Sequence, residues 1–158
     1  FVWPWPTPSK AAPAAALEAT ARGVSLNVEA GDSAACVDAD RPILAAVVVN
    51  LLQNAFKFTR PGSTVTLRGG ETSDRVLIEV EDECGGLPDG ATDELFRPFV
   101  QRNTDRTGVG LGLAMCRWGA EVNDGQVSVR SLPRRGCIFA VSLARLPALQ
   151  GEAASHDG

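Results

Sequence analysis

Apolar residues recur along this chain with two periods, and the switches between them mark out its elements. Residues 24–29, 64–68 and 75–81 alternate apolar and polar positions, the period of a half-buried strand. Residues 126–130 and 137–143 read as two further strands turned by Pro133 and Gly136, and residues 36–38 as a short one. A turn at Gly69-Gly70 is expected to join strands 64–68 and 75–81 into a hairpin. Residues 11–22 are alanine-rich and helix-prone, with Gly23 as a C-terminal stop. Asp40 offers an N-cap and Pro42 a first-turn position for a long helix to Phe58, closed by Pro61-Gly62. A third helix is expected from Gly110 or Leu111 to Asn123-Asp124-Gly125. Residues 87–107 carry neither period, and a loop of about twenty residues inside a compact domain is usually functional.

Composition narrows the class. The chain has 158 residues, room for one domain with a proper core, and is 44% hydrophobic and 22% charged, as ordinary soluble globular proteins are. A net charge of −4 without a long basic run gives no nucleic-acid footprint. The longest apolar stretch, residues 43–52, already contains Asn50 and falls short of the roughly 20 residues that span a bilayer. Phe1-Val2-Trp3-Pro4-Trp5-Pro6 lacks the basic start of a signal peptide and reads as an extended arm. A first residue other than methionine reads as a piece of a longer or processed protein. Cys36, Cys84, Cys116 and Cys137 form no C-x-x-C pair and have no histidine nearby, so they read as buried thiols of a reducing cytosol rather than zinc ligands. Lysine occurs only at Lys10 and Lys57. That makes Lys57 conspicuous, since a compact ammonium and a wide guanidinium are not interchangeable in a tight site.

Three segments carry candidate chemistry. The helix of residues 43–58 is apolar nearly all the way round, the pattern of a buried helix. Asn50, Asn54 and Lys57 nevertheless share one stripe of it, within about 60°. A buried amide left unpaired costs about 1–3 kcal/mol. Either loops of the same protein or water satisfy these groups, or a ligand does. In the second case an amide oxygen of Asn54 meets a hard cation, Asn50 assists directly or through water, and Lys57 meets a phosphate. Magnesium keeps several waters, so few protein ligands suffice. Asp82 ends the strand of residues 75–81. It is either a solvated strand-end carboxylate or one aimed into the core. There an acceptor-only group takes a hydrogen bond from the adenine amino group and selects ATP over GTP. Gly85 and Gly86 would let a flat base approach the backbone. Gly108, Gly110, Leu111 and Gly112 put backbone N–H groups at a helix N-terminus, an anion site if they are more than structural glycines. The spacing is not the G-x-G-x-x-G of a dinucleotide fold, and no G-x-x-x-x-G-K-[ST] occurs.

Asn50-Leu51-Leu52-Gln53-Asn54-Ala55-Phe56-Lys57-Phe58-Thr59 resembles the N box of the sensor histidine kinases, and residues 82–87 resemble their G1 box. Leu95-Phe96-Arg97-Pro98-Phe99 is similar to the F box, residues 108–113 to the G2 box, and Gly136-Cys137-Ile138-Phe139 to the closing strand. The resemblance covers residues 24–146. It implies the Bergerat fold, a two-layer α/β sandwich in which helices pack on one face of a mixed β-sheet beside a long ATP lid. It implies a magnesium site at Asn54 and Asn50, Lys57 toward the phosphates, and Asp82 with Gly86 at the adenine. Residues 87–107 would be the lid, pinned by Phe96 and Phe99, with Gly108, Gly110, Leu111 and Gly112 at its phosphate-facing hinge. Arg97, Arg102 and Arg106 would be basic lid residues near phosphates. Residues 1–23 would be an arm and linker helix toward a dimerisation domain outside this chain, and residues 147–158 a polar tail.

Two departures stand out. The G1 box usually has glycine where this chain has Cys84, whose side chain would narrow the base pocket or turn away on the flexibility of Gly85. No acceptor histidine is present either, since His156 lies in the polar tail. The Bergerat ATPases, which are type II topoisomerases, Hsp90 and mismatch-repair proteins, hydrolyse ATP with a glutamate where this chain has Asn50, and an amide cannot take a proton from water. Transfer to a histidine nitrogen asks chiefly for positioning and charge neutralisation. The expected function is the Mg-ATP-binding catalytic domain of a cytoplasmic, two-component protein-histidine kinase. Its partners would be a dimerisation domain and, indirectly, a response regulator, with no nucleic-acid or direct membrane contact. A non-catalytic nucleotide-binding module is the alternative.

Overall fold

The structure, a computed structural model, describes residues 2–4, 12–29, 35–86 and 112–147. Its elements run β1 (Val2–Pro4), α1 (Ala12–Ala21), β2 (Ser25–Glu29), β3 (Cys36–Asp38), α2 (Arg41–Phe58), β4 (Thr64–Glu71), β5 (Arg75–Glu81), α3 (Gly112–Val122), β6 (Gln126–Leu132) and β7 (Gly136–Ala144). Five strands form a mixed sheet in the order β2-β4-β5-β7-β6, with only β2 and β4 parallel. β1 and β3 pair antiparallel in a separate ribbon, so residues 2–4 of the proline-rich arm are extended and paired.

Alternation along the strands decides which face of the sheet is covered. Val65 and Leu67 of β4, Val76, Ile78 and Val80 of β5, and Phe139, Val141 and Leu143 of β7 are buried, while their neighbours turn to the other face. That other face carries ion pairs such as Arg68 with Glu81 at 3.2 Å. α2 contacts both α1 and α3, and all three helices contact the sheet, which makes two layers. Among the described residues no helix is long and apolar enough to cross a membrane.

α2 buries Leu44, Val47, Val48, Leu51, Leu52, Ala55 and Phe56, a stripe at helical spacing, and leaves Val49 exposed. The sequence suggested burial all round. A helix in a two-layer fold has only the sheet and its neighbour helices to bury against, so one side stays open. The hairpin also differs from expectation. Gly69 and Gly70 are paired with Ile78 and Leu77 inside the sheet, and the chain turns at residues 72–74. There the Thr72 hydroxyl accepts from the Arg75 N–H at 3.0 Å and donates to Asp74 at 3.1 Å. Gly136 likewise sits in β7, and the turn between β6 and β7 is residues 133–135.

Candidate functional site

Strand β5 ends by delivering Asp82 into the interior, where it is 1% exposed. A carboxylate so placed must be hydrogen-bonded, because water no longer solvates it. The N–H groups of Cys137 (2.9 Å) and Cys84 (3.2 Å) both donate to Oδ1, and the Asp82 N–H donates to the Cys137 carbonyl at 2.9 Å. The two chains run so close that a Cβ on Gly136 would collide with the Asp82 carbonyl, which leaves glycine as the residue that fits. Beyond Asp82 the chain turns through Gly85 and Gly86 at φ of 95° and 97°, the left-handed region that side chains resist. A Cβ on Gly86 would press on the Leu132 carbonyl at 3.2 Å.

The same turn is tied to α2. Thr59, the buried C-cap residue, accepts through Oγ1 from the Glu83 N–H at 3.1 Å, and the Glu83 carboxylate accepts from the Thr64 N–H at 2.9 Å. The end of the amide-bearing helix and the acidic turn are thereby neighbours. Sequence reasoning gave Thr59 no role, although its place directly after an uninterrupted helix marked it as a capping position.

On α2 the amide nitrogen of Asn54 is buried with no hydrogen-bond partner among the described residues. The orientation of an amide is an assignment, so the same group can present oxygen or nitrogen. Either way a buried amide lacking a partner costs about 1–3 kcal/mol. A group in that position is a candidate to meet a ligand, and its oxygen suits a hard cation such as magnesium. Asn50, one turn earlier, is half-buried and lines an apolar groove of about 210 Å³ with Pro42, Ile43, Val47, Met115 and Trp118. Met115 and Trp118 are half exposed, at 51% and 52%. Lys57 holds its ammonium 5.4 Å from the Phe58 ring centroid, a cation–π contact in the last turn. Asp82 lines a different cavity, about 260 Å³, with Arg60, Glu83, Gly85 and Arg134. Gly112 opens α3, and a Cβ added there would meet none of the described residues within 4 Å. Leu95 to Phe99, Arg102, Arg106, Gly108, Gly110, Leu111 and His156, all singled out in the sequence, lie outside the described residues.

Cys84 and Cys137 meet. Their sulfurs stand 3.4 Å apart, and together with Asp82 they bring three metal-ligating atoms within 4.8 Å of one another. Spacing along the chain hid this, since cross-strand neighbours 53 residues apart leave no C-x-x-C mark. Cys84 is half-buried and Cys137 is 0% exposed. The hydrogen bond between the two sulfurs draws the Cys84 thiol down to about 7, against burial and the Asp82 charge, which push it up. Cys116, sealed under α2 with its thiol 3.5 Å from the Val47 carbonyl, is pushed up to about 12 by burial.

Residues 39–147 match the family of histidine kinase-, DNA gyrase B-, and HSP90-like ATPases. The alginate biosynthesis sensor protein KinB of Pseudomonas aeruginosa is 38% identical over 123 residues, 78% of this chain and 21% of KinB. The sensor protein KdpD of Mycobacterium tuberculosis (strain ATCC 25618 / H37Rv) is 38% identical over 122 residues, 75% of this chain and 14% of KdpD. The chain therefore spans a small part of these relatives. Among solved structures, the catalytic domain of histidine kinase ThkA superposes with a TM-score of 0.75 at 21% identity, over 88% of this chain and 92% of that one. The mycobacterial sensor histidine kinase MprB does so with a TM-score of 0.74 at 20% identity, over 93% and 99%. At these identities the likeness speaks to the fold, which is that of histidine kinase catalytic domains.

Proposed function

Because the chain belongs to the histidine kinase-, DNA gyrase B-, and HSP90-like ATPase family, we propose that it is the catalytic domain of a two-component sensor histidine kinase. It binds Mg-ATP and passes the γ-phosphoryl group to a histidine on a dimerisation domain outside this chain. The observation that carries this reading is Asp82, a carboxylate 1% exposed and clamped by two backbone N–H groups beside the end of the Asn54 helix.

The roles follow from the donor set. Asp82 accepts the adenine amino hydrogen. Asn54, with Asn50 one turn away, supplies amide oxygen to the magnesium ion and amide hydrogen to a phosphate oxygen. Lys57, Arg102 and Arg106 offer positive charge to the phosphates, and Gly86, Gly108, Gly110, Leu111 and Gly112 offer backbone close to the nucleotide. Magnesium, when bound, supplies charge neutralisation between the phosphates. Asn50 argues against hydrolysis, because an amide does not take a proton from an attacking water. An imidazole acceptor needs orientation more than activation, and the chain provides orientation.

Asp82→Asn keeps an oxygen for the Cys84 and Cys137 amides but turns a donor toward the adenine amino group. Calorimetry should show ATP affinity reduced by on the order of 100-fold, about 2–3 kcal/mol for mismatched buried polar groups, with unfolding unchanged. Unaltered affinity would discredit the adenine assignment. Mixing the wild-type domain with its parent's dimerisation domain and labelled ATP should yield acid-labile, base-stable phosphate. ATP bound without transfer would instead mark a passive nucleotide-binding module.

A further inference from the structure

We propose that Cys84 and Cys137 form a reversible disulfide beside Asp82, and that closing it shuts the nucleotide site. The inference rests on the assignment of Asp82 to the adenine, and the thiol pair itself stands on its own geometry.

The two sulfurs are already in contact at 3.4 Å. They sit on a rigid frame. Cys137 belongs to β7, inside the sheet, while Cys84 is held by its N–H on Asp82 and by the bond from the Gly85 N–H to the Arg135 carbonyl at 3.1 Å. A bond between them needs sulfur separations near 2.05 Å, so a closure of little more than an ångström suffices. Burial divides the labour. Half-buried Cys84 is open to a small oxidant, whereas Cys137 at 0% exposure is reached only by its neighbour. The lowered Cys84 thiol, at about 7, holds a substantial thiolate fraction at neutral pH, and the thiolate is the nucleophile. Burial pushes the Cys116 thiol up to about 12, which keeps it protonated and out of this chemistry.

The oxidant is a hydroperoxide. The Cys84 thiolate attacks one peroxide oxygen, forming an S–O bond as the O–O bond breaks, and the departing oxygen takes a proton and leaves as water or alcohol. The Cys137 sulfur then attacks the Cys84 sulfur. The S–S bond forms, the S–O bond breaks, and hydroxide leaves with the thiol proton as water. Two thiols lose two electrons and the peroxide gains them. A dithiol reverses the bond by exchange.

Coupling to the site comes through Asp82. One oxygen of its carboxylate accepts from the backbone N–H of both cysteines, so drawing the sulfurs together moves both of its anchors. The family's usual glycine at position 84 cannot do this.

The test uses the whole chain, reduced or treated with hydrogen peroxide, with intact mass, peptide mapping and ATP titration. The expected result is a loss of two mass units, a peptide linking residues 84 and 137, and ATP affinity lowered at least tenfold and restored by dithiothreitol. Cys84→Gly, which installs the family's residue, should bind ATP, form no link and ignore peroxide. A link to a different cysteine, or Cys84 carried to sulfinic acid with Cys137 still reduced, overturns the pair. A linked protein that binds ATP as tightly as the reduced one overturns the coupling. Protein that forms the link on oxidation but whose reduced form never binds ATP sinks the nucleotide assignment and leaves the thiol pair standing.

Discussion

Asp82 and the two cysteines around it show how much one strand end can concentrate. The carboxylate offsets part of the cost of burial by accepting at Oδ1 two backbone N–H groups from different segments, and each comes from a cysteine. The Cys84 thiol, drawn to about 7 by the Cys137 hydrogen bond, should be alkylated by iodoacetamide at a rate that climbs as pH passes through about 7, since the reactive thiolate predominates above that value. Cys116, pushed up to about 12, should stay unmodified across the same range until the chain is unfolded. Mass spectrometry of the two peptides from pH 5.5 to 9 separates them (a window chosen to straddle about 7), and equal rates would remove the premise of an activated Cys84. Asp82 itself was legible in the sequence as the end of an alternating strand. Its two clamping amides were not, because one belongs to Cys137 and only the β5–β7 register brings that residue alongside.

At the scale of elements, the N box works as a helix because its ends are fixed. Asp40 caps α2 by accepting the Ile43 N–H at 3.1 Å, and its own N–H donates to the Asn123 side chain at 2.6 Å. Asn123 in turn donates to the Gly119 carbonyl at 2.9 Å, so the start of α2 is bonded to the end of α3. The two helices cross closely at Gly119, where an added Cβ would fall 2.5 Å from Val47 Cγ2. Gly119→Ala should therefore destabilise by about 1–3 kcal/mol through overpacking, and Asp40→Ala by about 1 kcal/mol through the lost cap. Thermal melts measure both, and an unchanged midpoint for Gly119→Ala would show that the helices can separate freely. Asp40, Pro42 and the stop at Phe58 were readable in advance because capping is a local matter. The hairpin turn was not, because side-chain hydrogen bonds of Thr72 and Asp74 made a turn without glycine, while Gly69 and Gly70 were taken into the sheet.

For the whole molecule, the exposed face between α2 and α3 bears on transfer. Met115 and Trp118 stand half exposed along a groove that also contains Asn50, so an apolar surface adjoins a residue assigned to the magnesium ion. Large exposed aromatics in a groove favour a protein partner, which under the proposed function would be the dimerisation domain. Trp118→Glu should leave ATP affinity and folding intact and lower the phosphotransfer rate at least tenfold when the two domains are mixed. Equal rates in a radiolabel assay would place the docking surface elsewhere. The sequence by itself determined the helices and strands with local signals and the apolar face of each strand, and it singled out the amides, acid and glycines proposed to meet a nucleotide. It did so because capping, period and residue chemistry act over a few neighbours. Beyond the β4–β5 hairpin, tertiary structure alone decided which strands lie side by side, and hence that Thr59 meets Glu83, that Gly136 gives way to Asp82, and that two cysteines 53 residues apart touch. Those contacts are set by the register of a mixed sheet, which depends on every strand packing at once and leaves no trace in spacing along the chain.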